Sequence, residues 1–111
     1  MKTKTADWAH VIIWEFYARP GSEARFEQVY GPDGEWVRFF KFGVGYVRTE
    51  LIRDCKVPGR YVTLDFWASR AAYLKFREAN LAEYQALDQR CGALTQREIE
   101  LGCFDRLLLK S

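Results

Sequence analysis

The run RYVTLDFWASRAAYLKF, from Arg60 to Phe76, restricts this chain to few folds. Pro58-Gly59 makes a turn, and Tyr61 to Trp67 follow as a strand rich in branched and aromatic residues. Ser69 stops the strand and opens a helix carrying Ala72, Tyr73 and Phe76. Within the strand, Val62, Leu64 and Phe66 fall on one side of a period-two pattern, and Tyr61, Thr63, Asp65 and Trp67 on the other. The first side reads as a plain core face. The second mixes rings with a hydroxyl and a carboxylate and is expected to need a cover other than water.

The flanking chain repeats the same alternation. HVIIWEFY, His10 to Tyr17, reads as a strand with Ile12, Trp14 and Phe16 on one side. Pro20-Gly21-Ser22 opens a helix with Ser22 as N-cap and Phe26, Val29 and Tyr30 at helical spacing; Gly31-Pro32 ends it, with Gly31 expected in the left-handed cap. A short helix from Asp33 carries Trp36, Val37, Phe39 and Phe40, and Gly43 and Gly45 close it. Tyr46 to Asp54 form a strand that should pair antiparallel with Tyr61–Trp67 across a hairpin turn. Asn80 to Glu83 has the form of a capping box, and the helix it starts places Tyr84, Leu87, Cys91 and Leu94 on one face. From Thr95 the chain returns to strand, and Leu107 to Leu109 make an apolar tail.

The order is strand, paired helices, strand, strand, paired helices, strand. It predicts an α+β fold, a ferredoxin-like four-stranded antiparallel sheet with helices on one face. The helix-covered face is expected to collect Ile12, Trp14, Phe16, Val47, Leu51, Val62, Leu64, Phe66, Ile99 and Leu101. The opposite face would hold Val11, Ile13, Tyr17, Ile52, Tyr61, Trp67 and Phe104 among Glu15, Arg48, Glu50, Thr63, Asp65, Glu98 and Glu100. Such a face is too apolar for water and too charged for a dry core. A second copy laid against it meets both demands, so a homodimer is expected, with a roofed hollow near the end of the third strand.

The 111 residues suit one domain, expected over 10–105 between a flexible N-terminus at 1–9 and a tail at 106–111. Seventeen Lys and Arg against fifteen Asp and Glu are interleaved without a basic block, which argues against nucleic acid and membrane surfaces as partners. Three widely spaced cysteines without a CxxC pair fit reduced thiols, with Cys91 and Cys103 as small core residues and Cys55 in a loop. No stretch resembles a signal peptide or a membrane span, so a cytoplasmic protein is expected. Four Trp, six Tyr and eight Phe exceed what a small core needs and suit a pocket for a flat ligand.

WEFYARPGSEARFEQVYG, DFWASRAAYLKF and YQALDQRCGALTQREIELGCF, with this architecture, resemble the antibiotic biosynthesis monooxygenase family over His10 to about Asp105. The resemblance implies a dimeric α+β barrel, in which two sheets close on each other with the helices outside. It also implies cofactor-free oxygenase chemistry on a small aromatic or phenolic compound, the substrate itself supplying electrons to oxygen. In quinone-forming members a Trp closes the third strand and a Tyr follows six positions later; Trp67 and Tyr73 match these places. An Asn stands four residues before that Trp in those members, and this chain has Thr63, which lacks the amide's separate donor and acceptor. Similar haem-degrading members bind iron through a His of the second helical region, where this chain offers Arg77.

Trp67, Tyr73 and Thr63 are therefore the candidate catalytic residues, and His10, Trp14, Phe66 and Arg77 the candidate substrate-binding ones. Each has a plainer reading. Trp67 and Tyr73 can simply pack together, His10 can be a satisfied strand-start residue, and Arg70 and Arg77 can be solvated helix charges. Glu15, Glu50, Asp65, Glu98 and Glu100 form a carboxylate set that either holds a cation or pairs with Arg48, Arg53, Arg106 and Lys110. No ligand spacing supports a metal, and none is expected. The leading reading is a homodimeric, cofactor-independent monooxygenase-like protein. The alternatives are a non-catalytic small-molecule binding or interaction protein of the same fold, and a structural assembly subunit.

Overall fold

A computed structural model of the chain describes residues 7–107. The strands are β1 (His10–Ala18), β2 (Tyr46–Arg53), β3 (Arg60–Trp67) and β4 (Thr95–Asp105). Helices α1 (Glu23–Tyr30) and α2 (Glu35–Phe40) follow β1; α3 (Arg70–Ala79) and α4 (Leu81–Cys91) follow β3. The strands form one antiparallel sheet in the order β2-β3-β1-β4, the ferredoxin-like arrangement expected from the element order. Lys110 and most of the apolar tail, like residues 1–6, lie outside the described residues.

Local chemistry places the helix ends. Ser69 caps α3, its hydroxyl accepting from the Ala72 N–H at 3.0 Å. Asn80 does not cap α4 with its side chain; its amide donates to the Phe76 carbonyl at 2.9 Å and satisfies the end of α3 instead. Ser22 likewise stands at the start of α1 without a side-chain capping bond. Gly31 is extended rather than left-handed (φ −80°). Glycine is needed there because a Cβ would lie 2.5 Å from the Glu27 carbonyl oxygen.

The helices cover one face, where Phe26, fully buried, lies against Phe16, Tyr30 and Tyr61 with ring centroids 5.4, 4.4 and 4.7 Å away. Strand register decides what else lies on this inner face, and it reverses β3. Trp67 pairs with His10, Asp65 with Ile12, Thr63 with Trp14 and Tyr61 with Phe16. Paired residues share a face, so the aromatic-and-acid side of β3 lies beneath the chain's own helices. Val62, Leu64 and Phe66, expected inside, line the outer face. The inner helices present large rings, and the shorter aliphatic side chains go to the other side.

β4 is reversed as far as its bulge, beyond which Phe104 lies outside with Val11 as expected. Leu101 is the extra residue of a bulge, because Ile13 pairs with Gly102 and Trp14 with Glu100. Glu98 and Glu100 thereby share the inner side with Phe16 and Trp14, while Ile99 joins Glu15 outside and Leu101 is half exposed. A second irregularity at Val47 breaks the alternation of β2. The outer face is thus mainly aliphatic: Val11, Ile13, Val62, Leu64 and Ile99, flanked by Phe66 and Phe104.

Candidate functional site

Between the inner face of the sheet and the helices lies a slot. Its floor is Trp14 and Phe16 from β1, Thr49 from β2, Thr63 and Asp65 from β3, and Glu98 from β4; its roof is Tyr30, Trp36, Phe40, Tyr84 and Asp88. It takes in about 430 Å³ of space counting its solvent-facing mouth, but only about 40 Å³ where the centre of a water molecule can sit. A gap this narrow holds a few waters, and a flat guest enters only if its aromatic walls part.

Asp65 lies deep in this slot, 9% exposed, and no cation pairs with it among the described residues. Its Oδ1 accepts from the Thr49 hydroxyl at 2.7 Å, and the Tyr46 hydroxyl lies 2.8 Å from Thr49 Oγ1. An ionised carboxylate only accepts, so the Thr49 proton goes to Asp65 and Tyr46 donates to Thr49. This relay fixes one carboxylate oxygen and leaves the other to the slot. Burial pushes the Asp65 carboxyl up to about 6, against the lowering effect of the Thr49 bond. Burial also raises Tyr46 to about 12, which keeps it a donor near neutrality.

Glu98, half-buried, accepts from the Thr95 hydroxyl at 3.0 Å and is raised by burial. Burial drives the Tyr30 phenol, on the slot wall, well above its ordinary value, and the indole N–H of Trp36 beside it acts in the opposite direction.

The candidates named from sequence separate into three groups. Thr63 and Trp14 line the slot. Trp67, Tyr73, His10 and Arg77 gather at the end of β3, outside its lining. The Trp67 ring is fully buried, 5.5 Å from Tyr73, 5.4 Å from Phe76 and 5.9 Å from Phe40, and only Phe40 of these also faces the slot. Arg77 donates to the Tyr73 hydroxyl at 3.3 Å and lies over the Tyr84 ring, 4.5 Å from its centroid. His10, 2% exposed, meets Asp105 through Nδ1 at 2.8 Å and lies 6.4 Å from Tyr73. Phe66 is on the opposite face of the sheet, against Trp8 at 4.9 Å and beneath Arg48 at 4.3 Å.

The expected single set of carboxylates divides between the faces. Glu15 pairs with Arg60 at 2.7 Å and Glu50 with Arg48 at 2.9 Å on the outer side, while Asp65 and Glu98 enter the slot. Among the described residues no group of three or more His, Cys, Asp or Glu is arranged to hold a metal. Cys103, expected in the core, is exposed on edge strand β4; Cys91 is buried. Sequence reasoning missed Thr49, Tyr30, Trp36, Tyr84 and Asp88 as slot residues. Tyr84 and Asp88, four apart on α4, carried a usable signal: a ring and a carboxylate on one side of a helix.

The family model for antibiotic biosynthesis monooxygenases matches residues 9–87, well over half of the chain. This chain belongs to that family. Among solved structures, a mutant of SnoaB, a cofactor-independent oxygenase from Streptomyces nogalater, is 24% identical with a TM-score of 0.69, covering 94% of this chain and 97% of SnoaB. A second SnoaB structure is 22% identical (TM-score 0.65, covering 91% and 96%). A Bordetella bronchiseptica protein assigned to the antibiotic biosynthesis monooxygenases is 20% identical (TM-score 0.69, covering 91% and 99%). At these identities the likenesses establish the family's fold. No curated protein matches the sequence closely. Among the described residues no helix is long and apolar enough to cross a membrane.

Proposed function

We propose that this antibiotic biosynthesis monooxygenase family member is a cofactor-independent monooxygenase that takes a flat phenolic compound into the slot. The observation that carries the reading is Asp65, an unpaired carboxylate held by the Tyr46–Thr49 relay on the floor of an aromatic gap. A buried carboxylate without a cation costs folding energy, and such groups concentrate where proton transfer is needed. An activated methylene flanked by phenolic rings reacts with one O2 to give a ketone and one water. The enzyme's part begins with removal of a substrate proton. Asp65 takes that proton and becomes neutral while the substrate becomes the anion, so the slot's total charge is unchanged and no new charge is buried. The anion then passes its electrons to O2.

Thr63, on the same face as Asp65, offers a hydroxyl to the developing oxyanion. Trp67 and Tyr73 act as positioning residues through Phe40 and the Arg77 bond. The SnoaB likeness supports this reading at the level of fold. The outer aliphatic face supports a homodimer, since a sheet apolar on both sides is ordinarily covered on both.

Oxygen consumption with a panel of quinols and anthrone-like phenols tests the activity. Turnover at substoichiometric protein, lost in Asp65→Asn, is expected; full uptake by that variant would remove Asp65 as the base. Binding of the panel without oxygen loss would instead favour a small-molecule binding protein of the same fold.

A further inference from the structure

The slot is shut to anything larger than water, so one of its walls must yield before a ring can enter. Its side chains differ in how firmly they are held. Phe16, Thr63 and Asp65 stand on β1 and β3, the two central strands, each hydrogen-bonded on both sides. Trp14 is half-buried, but it stacks on Phe16 at 6.1 Å and has Thr63 and Glu100 on either side of it in the register. On the roof, Tyr30, Trp36 and Phe40 are 5, 8 and 5% exposed, and other core rings crowd each of them. Displacing any of these opens a close-packed core.

Tyr84 is held differently. It stands in the first turn of α4 and is only half-buried. Its ring meets Trp36 edge-on at 5.2 Å and Phe39, itself partly buried, at 6.4 Å. The Arg77 guanidinium lies over it, 4.5 Å from the centroid. Arg77 has no carboxylate partner among the described residues, and it donates instead to the hydroxyl of Tyr73 at 3.3 Å. Tyr73 is 8% exposed and packed on Trp67, so it anchors the guanidinium. A cation attracts a ring only while it lies over the ring's face, so Arg77 favours Tyr84 in its closed position.

We infer that Tyr84 is the gate of the slot and Arg77 its latch: the Tyr84 ring turns about its side-chain bonds to admit a flat guest, and its bulk limits how large a guest the slot takes. This rests on the proposed function only in taking the slot as the ligand's place; it adds which wall moves and which residue sets the size. The backbone of α4 stays where it is, since a rotamer change alone carries the ring aside.

The test mixes the full chain with 2-naphthol, a flat two-ring phenol, in a stopped-flow instrument and follows the probe's own fluorescence. With the parent, the observed rate should level off as 2-naphthol concentration rises, because opening limits entry. In Tyr84→Ala it should rise linearly and pass the parent's plateau by about tenfold or more, as expected where the open form is a minor one. Tyr84→Leu, which keeps apolar bulk on the helix, repeats the measurement if Tyr84→Ala fails to fold. Tyr84→Phe keeps the ring and should match the parent. Arg77→Met keeps the stem without the charge and should raise the plateau about threefold, and Arg77→Lys should bring most of that back. Combined with Tyr84→Ala, Arg77→Met should add nothing, because the latch then has no ring to hold; a merely structural Arg77 would add its effect in both backgrounds.

A parent rate that climbs linearly and equals that of Tyr84→Ala overturns the inference, as does a failure of 2-naphthol to bind either protein at millimolar concentration. An Arg77→Met plateau equal to the parent's, or an additive double variant, removes the latch. Oxygen uptake separates the gate from the reading above. Uptake from phenols with ungated 2-naphthol entry leaves the oxygenase standing and removes this inference. Gated entry with no uptake from any phenol does the reverse.

Discussion

Replacing Asp65 by Asn should make the protein more stable, by an amount that grows as pH rises from the carboxyl's ordinary value to its raised one. The carboxyl sits at about 6 in the folded chain against an ordinary value of 3.8, chiefly because burial disfavours its charge. Below the lower value both states are protonated and Asp65 costs nothing. Between the two values the unfolded chain loses its proton first, so stability falls as pH rises. Above about 6 the folded state carries the full cost, about 3 kcal/mol at 1.36 kcal/mol per pKa unit. Asn keeps an oxygen for the Thr49 hydroxyl and has no charge to bury, so it avoids the cost.

Thermal and urea unfolding of the two proteins at about pH 5 and about pH 8 check this. The variant should gain about 2–3 kcal/mol at the higher pH, roughly 10 °C in Tm for a chain of this size, and about half of that at the lower. Glu98, also raised, adds a slope of the same sign, and Asp54, lowered by backbone and Arg60 hydrogen bonds, one of opposite sign. Both are common to the two proteins and cancel in the difference. An Asn variant equally or less stable than its parent at the higher pH would refute an unpaired, desolvated carboxylate, and with it the argument that Asp65 is kept for chemistry.

Four further outcomes are expected. Trp67→Ala removes a fully buried ring packed on Phe40, Tyr46, Tyr73 and Phe76 and should cost about 3–5 kcal/mol in denaturant melts, so the milder Trp67→Phe is the variant for activity measurements. Gly43→Ala should cost about 1–3 kcal/mol, because its Cβ would stand 2.8 Å from ring carbons of both Trp67 and Phe76; unchanged melting would show that this corner yields. Thr63→Asn, which installs the side chain of the quinone-forming members, should raise oxygen uptake from phenolic substrates by about tenfold, measured with an oxygen electrode. Leu64→Lys, placed beside Glu50 in the register, should leave the single chain folded and shift sedimentation from dimer to monomer.

Element order, strand pairing and the ferredoxin-like sheet were legible because each rests on local chemistry: period-two runs, turns at Pro58-Gly59, and Ser69 at a helix start. Which side of β3 faces the helices was not. Alternation divides Val62, Leu64 and Phe66 from Tyr61, Thr63, Asp65 and Trp67, but nothing in the alternation says which set lies inside. Ranking the sets by hydrophobicity chooses the aliphatic one. Register chooses the other, since Trp67 pairs with His10 and Asp65 with Ile12. β4 adds a bulge at Leu101, which transfers Glu98 to the inner side and whose mark in the sequence is Gly102 inside the strand. The site candidates divided accordingly: Thr63 and Trp14 reached the slot, and Phe66 left it.

That reversal separates two ideas that the sequence had joined. A hollow lined by the acid-and-aromatic side of β3 was expected to exist only when a second copy covered it. The chain's own helices α1, α2 and α4 cover it instead, so a single copy holds the complete slot. The argument for a partner now rests on other residues, the aliphatic outer face of Ile13, Val62, Leu64 and Ile99, among which Glu15, Arg48, Glu50, Arg60 and Arg97 are set. Ligand binding and dimerisation should therefore be separable: Leu64→Lys should sediment as a monomer and still bind a slot ligand. A variant that loses both together would place part of the site across the pair and undo the separation.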